Sequence, residues 1–100
     1  MPAAVDPPAH ETKMSLLTRT FPSVAMAAGV EPWAANLLDQ WAAETPVSHG
    51  ELLTARFLLA VWDPAMLWRC GPFELMEALR VWDDRHRAAF LTWARDPWWP

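Results

Sequence analysis

Asp83 and His86 are the residues whose types and spacing come nearest to chemistry. Three apart on a helix they share a face, and an Asp-x-x-His pair can supply two ligands to a metal ion. A tight site needs at least one or two more. The other histidines, His10 and His49, lie near the N-terminus and at a helix start. The plainer reading puts the His86 ring on an apolar stripe between Trp82 and Phe90, held by Asp83. No metal and no cofactor is expected.

Nucleophilic chemistry has weaker support. Cys70 follows Arg69, whose charge would lower a thiol pKa, but no histidine stands near it in sequence. Ser48 and His49 are adjacent, yet Ser48 is explained by a capping box with Glu51 three residues on. The chain has no glycine-rich phosphate loop, no G-x-S-x-G and no H-E-x-x-H. No catalytic residue is named on these grounds.

Composition narrows the classes further. A net charge of −4 argues against a nucleic-acid binder, which needs a basic face to neutralise phosphates. Arg80, Arg85, Arg87 and Arg95 do cluster, but Asp83, Asp84 and Asp96 are interleaved with them, and Asp83 with Arg87 makes an i, i+4 pair. That is the pattern of a solvated, salt-bridged face. A single cysteine excludes an internal disulfide, and the N-terminal stretch lacks the basic and apolar regions of a signal peptide. The expected setting is cytoplasmic.

The element that must position everything else is Ser48–Trp62. It opens on the capping box and closes at Asp63-Pro64, since proline disfavours the α conformation in the residue before it. Leu52, Ala55, Leu59 and Trp62 form one stripe, while Leu53, Phe57, Ala60 and Val61 cover most of the rest. A helix apolar nearly all round is a membrane span or the centre of a packed body. Arg56 and the short apolar run argue against the ~20 apolar residues of a span.

Around this centre the sequence predicts an all-α bundle of four or five helices, about 22–29, 32–43, 49–62, 64–70 and 73–95. The first segment ends at Gly29 as its C-cap, and Trp33, Leu37 and Trp41 give the second an inward stripe. Asp63-Pro64 reads as an N-cap and first position for the fourth. The stripe Leu75, Leu79, Trp82, His86, Phe90 and Trp93 favours one long fifth helix, bent near Asp83. A faint echo, L-L-A-V-W-D at 58–63 and A-L-R-V-W-D at 78–83, would favour two. Residues 1–13, rich in Pro and Ala, read as a flexible leader, with Met14 a conceivable alternative start. Residues 14–100 read as a single helical domain.

A chain of 100 residues buries only ~60–65% of its extended surface, and eight tryptophans exceed what so small a core can hide. Trp33, Trp41, Trp62, Trp82 and Trp93 lie on stripes and read as core. Trp68 is core or rim. Trp98 and Trp99, in the closing D-P-W-W-P, either fold back as a cap, the favoured reading, or project as an anchor.

The function expected is a small non-catalytic protein-interaction module, an adaptor, regulator or assembly subunit. It would bind through apolar, Trp-rich faces and self-associate as a homodimer, with Trp68, Trp93, Trp98 and Trp99 as interface candidates. The alternative is a small-ligand binder or minor enzyme with a Trp-lined pocket near Trp82, Asp83 and His86. A membrane-surface role for the tail is disfavoured by the acidic balance.

Overall fold

The helix His49–Trp62 is the centre of the molecule, and the reason is visible in its side chains. Leu53, Thr54, Ala55, Phe57, Leu58, Leu59 and Val61 are all buried, on several faces at once. The computed structural model describes residues 9–100 and shows an all-α bundle of five helices in the order α1 (Ala9–Arg19), α2 (Ala35–Glu44), α3 (His49–Trp62), α4 (Leu75–Val81) and α5 (Asp84–Arg95), with a single 3₁₀ turn at Pro22–Val24. The first, second and fourth helices and the 3₁₀ turn all pack on α3. Its capping box is formed in full: the Glu51 N–H donates to Ser48 Oγ at 3.1 Å and the Ser48 N–H donates to Glu51 Oε1 at 2.8 Å.

Five of the expected segments are redrawn. Residues 9–13, read as leader, are the opening turns of α1, and residues 1–8 lie outside the described residues. Met14 is fully buried, and two polar neighbours are buried with it because each has a partner: Ser15 Oγ donates to Val30 O at 2.7 Å and Thr18 Oγ1 donates to Met14 O at 2.9 Å. Segment 22–29 is helical only over Pro22–Val24. Its two buried anchors, Phe21 and Val24, are three apart, a spacing that one 3₁₀ turn aligns, while Met26 is 96% exposed.

The second helix starts at Ala35 rather than at Pro32, because Ala34 is extended and the chain first turns through Gly29. Gly29 has φ +85°, and a Cβ there would lie 2.5 Å from Ala34 O and Leu38 N. Only glycine permits that approach.

Segment 64–70 is not a helix. Its backbone groups are taken by side chains instead, chiefly by Asp39 of α2, which is buried and accepts from the Arg69 N–H at 3.1 Å and the Cys70 N–H at 2.9 Å. Arg56 Nε donates to Cys70 O at 2.6 Å from the other side. Finally, 73–95 is two helices. Trp82 is extended, and Asp83 caps α5 by accepting from the His86 N–H at 3.0 Å. Arg87 bridges the break, donating to Leu79 O at 3.1 Å and pairing with Asp84, three residues before it, rather than with Asp83.

Candidate functional site

The aromatic centre is built on Phe57 of α3. Phe21, Phe73, Trp82, Phe90 and Trp93 each place a ring centroid between 5.2 and 6.0 Å from it, mostly edge to face. Trp82 is inside this cluster, and its Nε1 donates to Thr54 Oγ1 at 2.8 Å while Thr54 Oγ1 donates to Gly50 O at 2.7 Å. The indole is therefore packed and satisfied in the core, as its stripe position predicts. Trp33 is buried too, whereas Trp41, Trp62 and Trp93 are half-buried at the margin of the core.

On the outer side of Phe57 the packing stops short and leaves an apolar groove of about 320 Å³. Its walls include Val61 of α3, Phe73, Leu75 of α4, Phe90 and Trp93 of α5, and Trp99. Among the described residues no charged one lines it. The C-terminal tail folds back to form one rim: Trp93 Nε1 donates to Trp98 O at 3.1 Å, and the Trp99 ring stands edge-on to Trp93 at 5.3 Å. Trp99 remains 55% exposed. Pro64 also lines the groove and opens the turn in which Met66 and Leu67 face solvent, Leu67 at 95%.

The four tryptophans singled out in the sequence thus part company. Trp93 and Trp99 share this groove. Trp98 lies half-buried on the other side of α5, under Lys13 Nζ at 4.4 Å, beside a second groove between α1 and α5. Trp68 is a staple, its Nε1 donating to Leu59 O at 3.1 Å and Asp63 O at 3.3 Å.

A polar cluster lies at the start of α5. His86, nearly buried, is held by Asp83 as the stripe reading expects, with Nδ1 at 2.7 Å from Asp83 Oδ1. Its other nitrogen, Nε2, lies 2.8 Å from Ser23 Oγ and 3.2 Å from Ser23 N. Ser23 was not singled out from the sequence. It stands 63 residues away in a short turn, and no local pattern joins the two. Hydrogen bonds from the His86 N–H and then from its ring hold the Asp83 carboxyl below the usual carboxylate range.

Cys70 departs from its sequence reading. Arg69 turns away to Glu44 at 2.7 Å, and burial, reinforced by a hydrogen bond with Asp39, pushes the thiol up to about 12. It is an inert neutral thiol at ordinary pH. Among the described residues no three His, Cys, Asp or Glu side chains gather as a metal-holding group, and no helix is long and apolar enough to cross a membrane.

Fold and surface together define a five-helix bundle with an uncharged aromatic groove. Comparison with protein-family models, characterised proteins and solved structures finds no match for the chain.

Proposed function

We propose that the protein is an interaction module whose contact face is the Trp99 groove, and that its first partner is a second copy of itself. The observation that carries this is the pairing of concave and protruding apolar surface in one patch. Trp99 and Pro64 both line the groove, and the turn that starts at Pro64 presents Leu67, almost wholly exposed. A two-fold interface requires a self-complementary patch, in which a knob of each copy enters the hole of the other. An uncharged lining also means that filling the groove buries no charge of its wall.

A cytoplasmic setting and a role in regulation or assembly belong to the same proposal, supported by the single buried thiol and the apolar face. The acidic net charge supports a protein rather than a nucleic-acid partner.

Light scattering behind a sizing column tests the reading on the full chain. A dimer is expected, converted to monomer by Leu67→Asp with the helical circular dichroism unchanged. A chain that is monomeric at high concentration, or a dimer indifferent to both Leu67→Asp and Trp99→Ala, overturns it. Removing the tail is the poorer experiment, because Trp98 and Trp99 pack on Trp93 and Lys13.

A further inference from the structure

We infer that Ser23 is an acyl-accepting nucleophile toward carboxylic esters, with His86 as its base and Asp83 as the residue that positions the imidazole. The inference is independent of self-association and starts from the tautomer of His86. A main-chain N–H can only donate. The Ser23 N–H lies 3.2 Å from His86 Nε2, so Nε2 is an acceptor and carries no proton. The ring proton is therefore on Nδ1, where it donates to Asp83 Oδ1 at 2.7 Å. Ser23 Oγ lies 2.8 Å from Nε2 and, sharing the lone pair of that nitrogen with the main-chain N–H, donates its hydroxyl proton there. The chain Ser23 Oγ–H to Nε2, Nδ1–H to carboxylate is the arrangement in which a serine hydroxyl loses its proton as it attacks a carbonyl.

The parts are held by the fold. Asp83 is fixed as the cap of α5 by the His86 N–H, and the His86 ring is packed against Phe21 and Trp82 at 5.9 and 6.5 Å. Ser23 is half-buried, in a turn whose first residue, Pro22, is exposed. In the step, Oγ bonds to the acyl carbon, its proton passes to Nε2, and the carbonyl electron pair moves onto oxygen. As that pair returns, the ester C–O bond breaks and the leaving oxygen takes the proton from Nε2. Water repeats the sequence on the acyl-serine, giving the free acid and restoring Oγ–H. Once Nε2 holds a proton it no longer accepts from the Ser23 N–H.

The same three bonds also tie the 3₁₀ turn to α5, so the test must separate chemistry from stapling. The intact protein is treated with p-nitrophenyl acetate and, separately, with a fluorophosphonate, and adducts are located by mass spectrometry. A single adduct on Ser23 is expected, with Ser15 and Ser48 unlabelled, and Ser23→Ala abolishes it. Asp83→Asn is the discriminating variant, since asparagine caps a helix as well as aspartate and keeps an Oδ1 acceptor for Nδ1–H, but removes the negative charge that stabilises the imidazolium formed in the step. It should slow labelling about a hundredfold while leaving the melting temperature within a few degrees. No adduct on the folded chain, labelling of Ser48 at the same rate as Ser23, or an Asp83→Asn rate equal to the parent overturns the inference.

Discussion

Helix α3 and the segment Asp63–Gly71 that follows it are neighbours in the chain but are held by different physics. The helix is fixed by apolar burial: Leu53, Leu58 and Leu59 are fully enclosed, and their environment is redundant, since α1, α2, α4 and the 3₁₀ turn all pack on it. The segment owes its shape to a handful of polar contacts reaching in from elsewhere. Asp39 takes two of its N–H groups, Arg56 one of its carbonyls, and Trp68 is pinned to the end of α3. Apolar burial can be read from composition and periodicity, because many residues state the same thing. A polar clamp rests on one residue thirty positions away, which is why the segment 64–70 looked helical and is not.

That contrast can be broken from either side. The largest effect belongs to the helix: Leu58→Ala removes a fully buried side chain from the centre and should cost about 3–5 kcal/mol in urea unfolding, with all elements lost together. An equal or smaller loss than at any surface leucine would show that α3 is not the centre.

Asp39→Ala comes next. It leaves the Arg69 and Cys70 N–H groups without their acceptor, and about 2–3 kcal/mol should be lost. Asp39→Asn, which keeps one carbonyl oxygen, should cost less. Hydrogen exchange should accelerate at residues 69 and 70 before it does in α3. Uniform acceleration across both regions would erase the distinction drawn between them.

The smallest effect is a pH dependence inside the turn. The folded Cys70 thiol keeps its proton up to about 12, while in the unfolded chain it is lost near 9.0. Between those values the folded state binds more protons, so stability falls as the pH rises. About 1 kcal/mol should have gone by about pH 10, and Cys70→Ala should flatten the slope. The chain has no tyrosine and a single lysine, Lys13, which makes the assignment clean. At neutral pH the same thiol should resist iodoacetamide until the protein unfolds.

Much of the fold was legible in residues. Ser48 with Glu51 marks the start of α3 and Asp63-Pro64 its end, since both signals are local steric and hydrogen-bonding facts. Trp82 and His86 sit where their stripe puts them, and Asp83 holds the His86 ring. The break at Trp82-Asp83 was hidden for a physical reason. Both helices of the pair turn their apolar residues to the same core, so the stripe runs on through a change of direction. The helical state of residues 9–13 was hidden too, because α1 has few apolar residues and is anchored by Met14 and by hydroxyls that find carbonyls of the folded chain.

The sequence by itself determined that this is a small all-α protein with a central helix apolar on most sides and more tryptophan than a core of its size can hide. Those properties follow from periodicity, caps and surface-to-volume ratio, none of which needs a partner at long range. Only the tertiary structure decided which tryptophans are left over, where Trp93 and Trp99 meet in one groove, and that Ser23 stands against His86. Each of these is a contact between residues whose separation along the chain carries no signal, and it exists because packing on α3 brings their elements to the same place.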